Sequence, residues 1–188
     1  MRGFCLWGCA VADEADESPI SALEDYPDFA RALGMISVEL AELEASLAEV
    51  LRALLSVDSD LGQAIYFTPL AVIPRIKFLM NVLASLHPDA SLDKEEVKEI
   101  RKKLKSLCGR AEAAMGKRNM LLHAAWGVRN NNGGDPVVVY SSFPLREAGF
   151  KVIELRELKR VVTDIRRVNG DCLDLVELID DYRKTGAN

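Results

Sequence analysis

Within residues 117–127, KRNMLLHAAWG, an arginine and an asparagine stand side by side and a histidine follows four residues after the asparagine. The chain has 2 His and 2 Trp, and one of each falls in this stretch, as His123 and Trp126. These residue types suit phosphodiester chemistry. A histidine side chain exchanges protons near neutral pH, so it can take one from a ribose 2′-hydroxyl or give one to a leaving 5′-oxygen. An arginine stays charged and offers a planar fork to phosphate oxygens as negative charge builds in the transition state. An asparagine orients either partner by hydrogen bonding. No metal is needed for such a step, and DNA, lacking the 2′-hydroxyl, would resist it.

If residues 117–126 are helical, Asn119 and His123 lie one turn apart on one face. Arg118 and His123 are five apart, about 140° around the axis at roughly 100° per residue. One copy of the motif therefore makes half a pocket, and two copies related by a twofold axis would converge their polar groups on one cleft. Trp126 falls one turn beyond His123, where it can stack on a base or serve as core or interface packing. Lys117 and Arg129 flank the motif, either drawing in a nucleic-acid backbone or standing as ordinary surface charges. His123 itself can also be a structural residue that caps or crosses a helix interface.

Arg118-Asn119-Met120-Leu121-Leu122-His123 matches R-x(4–6)-H with a polar residue directly after the arginine. In this the chain resembles the HEPN superfamily, and the likeness in layout extends over residues 29–183. The resemblance implies a small α-helical domain, commonly dimeric, and a metal-independent endoribonuclease of the kind found in toxin and antiviral systems. It places Arg118, Asn119 and His123 at the family's active-site positions. RNA, a second copy of the chain and an antitoxin or other partner protein are the implied partners, with no cofactor. Some members of the superfamily only bind RNA, a nucleotide or a partner protein, so a non-catalytic module is the second reading.

The elements that must position these residues read as mostly helical. Leu33, Ile36, Leu40, Leu43, Leu47, Val50 and Leu54 recur at spacings of three and four, which predicts one long helix over residues 29–57. A short apolar piece follows at 61–67. Pro69 is expected to open a second helix reaching Leu86, with Pro74 in its first turns and His87-Pro88-Asp89 ending it. Ser91 and the carboxylates at 93–96 signal the start of a helix leading into the motif. Gly116 is expected to bend or break that helix, and Gly127 to close the motif. Residues 130–135, NNNGGD, read as a loop, 137–140 and 150–153 as a two-stranded hairpin, and 155–183 as a last helix that Gly170 bends. The predicted fold class is a mostly α bundle of four to five helices with a small β-hairpin before the C-terminal helix. Residues 1–20 read as a loose acidic segment and 21–188 as a single domain.

Bulk properties narrow the rest. Hydrophobic residues make up 49% and aromatics 6% of 188 residues, so the core must come mostly from Leu, Val, Ile and Ala. No apolar run approaches the roughly 20 residues that span a bilayer, and the short apolar start runs straight into Asp13, Glu14, Asp16 and Glu17. The reading is a cytoplasmic protein without a membrane segment. Cys5, Cys9, Cys108 and Cys172 complete no zinc spacing, and the last two sit in apolar helical patterns as small hydrophobes. The net charge of −5 is unevenly spread: residues 1–60 carry 3 Lys/Arg against 13 Asp/Glu, residues 94–129 carry 10 against 4. The basic stretch leads directly into the motif.

Overall fold

Apolar residues at helical spacing build the scaffold, and a computed structural model shows where they meet; it describes residues 23–86, 88, 92–129, 137–141 and 151–186. Among these residues five helices run in order: α1 (Pro27–Leu55), α2 (Ser59–Phe67), α3 (Val72–Ser85), α4 (Lys94–Leu122) and α5 (Leu155–Gly186). Between α4 and α5 lie three short strands, β1 (Ala125–Arg129), β2 (Val137–Ser141) and β3 (Lys151–Val152). The mostly α class with a small antiparallel sheet before the last helix is as the pattern of residues predicts.

Helix α1 is the central element. Pro27 at its start supplies a preset φ where the missing N–H costs nothing. Its far end stops at Ser56, whose φ of 54° lets the Val57 amide turn back to the Arg52 carbonyl. Ile36, Leu43, Leu47, Val50 and Leu51 between them are fully buried. Each such side chain stabilises the fold by roughly 1.5–3 kcal/mol relative to exposure.

The two long seams run in opposite senses. Against α5, α1 is parallel: Glu39 meets Arg166, Arg52 meets Asp180 and the Leu54 carbonyl accepts from Arg183. Glu39 is buried, and two guanidinium nitrogens of Arg166 reach its Oε1 at 2.7 and 2.6 Å, so the buried charge is matched. Against α4, α5 is antiparallel: Glu99 accepts from Tyr182, Arg110 pairs with Asp171, and Lys117 lies 3.8 Å from Asp164. Leu104 and Leu107 of α4 and Leu158 and Ile165 of α5 are all buried in the one hydrophobic core. Cys108 and Cys172 are buried as well, and burial pushes both thiols up to about 12, which keeps them protonated and inert.

Several expectations shift. Helix α3 begins at Val72, not at Pro69, and Pro74 sits in its first turn, where no intrahelical donor is lost. Helix α4 starts from Asp93 in a full capping box with Glu96 and passes through Gly116 without a break; α5 likewise passes through Gly170. A glycine inside a helix costs about 1 kcal/mol, less than the flanking apolar face recovers by packing. The hairpin is a three-stranded sheet in the order β1-β2-β3, because the tail of the motif itself forms the first strand. Ala125 pairs with Ser141 and Arg129 with Val137, while β3 joins through Val152 and Lys151. The acidic segment 1–20, His87 and Asp89, the signal at Ser91 and the loop 130–135 lie outside the described residues, while the helix expected to reach Leu86 ends at Ser85 with Leu86 as its C-cap. Among the described residues, no helix is long and apolar enough to cross a membrane.

Candidate functional site

The motif straddles the end of a helix. Lys117, Arg118 and Asn119 are in the last turns of α4, which ends at Leu122. His123 is the C-cap, with φ −97° and ψ 6°. Trp126 and Arg129 are therefore in β1, not on a continuing helix, and Trp126 does not stand one helical turn beyond His123. The helix stops here because Ala125 onward pairs with β2, a choice set by partners on another strand, from Val137 opposite Arg129 to Ser141 opposite Ala125.

Arg118 and Asn119 act as a unit: the guanidinium donates to Asn119 Oδ1 at 3.0 Å. Arg118 is half-buried and Asn119 exposed, and both line a groove of about 390 Å³ between α4, α1 and the start of α3. Ser37, Ala41 and Glu44 form its α1 wall, and Val72 and Ile73 its α3 wall. Glu44 is the one carboxylate among these lining residues, and Arg75 takes its charge at 3.0 Å. Arg75 also donates to the Pro69 carbonyl at 2.9 Å and lies 4.8 Å over the Phe67 ring, so it ties the 68–71 connection to the groove. Among the described residues no carboxylate pairs with Arg118, whose charge remains available to an anion entering the groove.

His123 keeps the helical link to Asn119, its N–H donating to the Asn119 carbonyl at 3.1 Å, so the two residues are one turn apart. Its side chain is exposed and hydrogen-bonds to none of the described residues. It does not line the groove that holds Arg118 and Asn119. One copy thus brings Arg118 and Asn119 together and leaves the imidazole outside, facing solvent.

The flanking residues go separate ways. Lys117 is exposed and turned toward Asp164 of α5, away from the groove. Arg129 is exposed at the end of β1. Trp126 is half-buried, stacks on Tyr140 at 5.6 Å between ring centroids, and donates its indole N–H to the Leu121 carbonyl at 3.0 Å. Sequence reasoning missed Glu44 and Arg75, which are 31 residues apart and meet only in the fold. No local pattern marks them. Among the described residues, no group of three or more His, Cys, Asp or Glu is arranged to hold a metal ion. Comparison of the chain with protein-family models, with curated proteins and with solved structures gives no match.

Proposed function

We propose that the chain is a cytoplasmic, homodimeric, metal-independent endoribonuclease of HEPN type, acting as a toxin or defence component. The observation that carries this reading is an exposed His123 one turn from an Arg118–Asn119 unit, with no hydrogen bond to the imidazole and no carboxylate on the guanidinium among the described residues. A histidine kept for structure would instead be buried and bonded within its own chain.

The chemistry follows from those three side chains. His123 takes the proton of a ribose 2′-hydroxyl as the 2′-oxygen attacks phosphorus. The bond from phosphorus to the 5′-oxygen breaks, and a second imidazole gives that oxygen its proton, leaving a 2′,3′-cyclic phosphate and a 5′-hydroxyl. Arg118 holds the non-bridging oxygens as their charge grows, with Asn119 fixing the guanidinium plane. The step wants a base and an acid together, and each copy offers one exposed motif histidine. A second copy supplies the other, so the active unit is a dimer.

One observation favours the second reading, a non-catalytic module that binds RNA, a nucleotide or a partner protein. His123 stands outside the groove that contains Arg118 and Asn119, so within one copy the anion site and the proton carrier are not assembled.

Cleavage of total RNA and tRNA in EDTA separates the two. Wild type is expected to give 2′,3′-cyclic phosphate ends. His123→Ala is expected to lose roughly 10²–10⁴-fold in rate and Arg118→Ala roughly 10²–10³-fold; the His123 variant should keep its melting temperature, since that side chain is exposed and hydrogen-bonds to none of the described residues. Wild-type protein inert on both substrates would put binding ahead of catalysis.

A further inference from the structure

The last turn of α4 has a gap in its hydrogen bonding. In an uninterrupted helix the Leu121 carbonyl would accept from the amide four residues on, but Ala125 is committed to β1 opposite Ser141. The Ala124 amide reaches that carbonyl only at 3.4 Å. The indole N–H of Trp126 comes closer, at 3.0 Å. Its ring is held in turn by Tyr140, its direct cross-strand partner, at an interplanar angle of 30°. Both rings pack against the hydrophobic core. The turn carrying His123 is therefore fastened on both sides: behind it by the Asn119 carbonyl, ahead of it by an aromatic pair anchored in the sheet.

We infer that Trp126 is a positioning residue for His123. Its indole N–H stands in for the missing helical amide at the Leu121 carbonyl and fixes the turn that presents the imidazole. The inference rests on the ribonuclease reading for its catalytic consequence, and it changes the job that residue spacing suggests for Trp126. One face of the indole is already covered by Tyr140 and its only donor is already used, so the side chain serves the turn and not a base. The small sheet acquires a purpose as well: it is the frame against which the end of α4 is set. Misplacing a proton carrier by about 1 Å can cost as much as 10²-fold in rate, even when binding is intact.

Trp126→Phe keeps a ring against Tyr140 and deletes the N–H. In cleavage of tRNA in EDTA, it is expected to lower kcat about tenfold and leave KM within about twofold. Amide hydrogen exchange should quicken at His123 and Ala124 while Leu104 and Leu107, buried in the core farther up α4, keep their protection. Tyr140→Leu, which removes the platform and spares the N–H, should give the same local pattern. A raised KM with unchanged kcat would assign Trp126 to base stacking and overturn the inference. So would unchanged kcat together with unchanged exchange, which would leave Trp126 as packing alone. If wild type does not cut RNA, the ribonuclease reading falls by itself and exchange decides: acceleration confined to His123 and Ala124 upholds the positioning role, and its absence ends it.

Discussion

The two ends of α4 are finished in different ways. At the N-terminal end, Asp93 accepts from the amides of Glu95 and Glu96 at 2.7 and 2.9 Å, and Glu96 accepts from the Asp93 amide at 2.7 Å. The side chains of Asp93 and Glu96 thus satisfy three amides within four consecutive residues, and carboxylates there also suit the helix dipole. At the C-terminal end the side chain that closes the helix comes from beyond it, on β1. The Leu121 carbonyl relies on Trp126, Trp126 relies on Tyr140, and that pairing exists only because β1 and β2 are in register. The end bearing the histidine is thus the one whose geometry is set by tertiary structure. Its shape can be tuned from several places, and it can also be disturbed from several places.

The sharpest way to break this comparison is to remove the anchor beneath each end. Leu121 is 2% exposed and its side chain joins the core directly under the motif. Leu121→Ala is expected to cost about 2–5 kcal/mol, the range for emptying a buried leucine site, measured by urea unfolding. Asp93→Ala removes only a cap and is expected to cost about 1 kcal/mol. If the Asp93 variant lost as much as the Leu121 variant, the N-terminal end would not be locally self-sufficient. If the Leu121 variant lost under 1 kcal/mol, the sheet and not the core would be carrying the motif.

The same contrast explains what residues alone reveal. Spacing of Leu33, Ile36, Leu40, Leu43 and Leu47 reports a buried helical face because every one of those residues enters the core. The carboxylates at 93–96 report a helix start because the capping bonds are made within the stretch itself. Ala125-Trp126-Gly127-Val128-Arg129 carries no such signal. Its alternation is weak, its burial is half at best, and only pairing with Val137–Ser141 turns it from a helix extension into a strand. Gly116 misleads in the other direction, since its small intrinsic penalty is overridden by Leu104, Leu107, Ala111 and Met115 packing along the same helix. Arg118, Asn119 and His123 are visible as a motif, and the Asn119–His123 turn is as spacing predicts. The groove walls are not visible, because Ser37, Glu44 and Val72 approach Arg118 and Asn119 from helices distant in sequence.

The finest expected effect concerns what joins the locally finished end of α4 to α5. The Tyr182 hydroxyl donates to Glu99 Oε2 at 2.7 Å, and Lys103 lies 3.1 Å from the other carboxylate oxygen. The Tyr182 bond, with help from Lys103, holds the Glu99 carboxyl below its ordinary value, and the same bond pushes the Tyr182 hydroxyl up to about 12. A lowered carboxylate stabilises the fold above its unfolded pKa of about 4.5 and loses that contribution as pH falls through the folded value. A raised tyrosine contributes fully below its unfolded pKa of about 10 and loses the contribution as pH rises toward 12. Tyr182→Phe removes both at once. Its stability deficit in urea unfolding should be level between about pH 6 and 9 and shrink below about 4.5 and above about 10. Glu99 is exposed and Tyr182 half-buried, so the deficit should also weaken with added salt. A deficit that stayed constant down to pH 3 would mean that lost ring packing, and not the bond to Glu99, ties this end of α4 to α5. The two ends of α4 would then both depend on aromatic packing from a distant segment, and the contrast between them would narrow to the capping box alone.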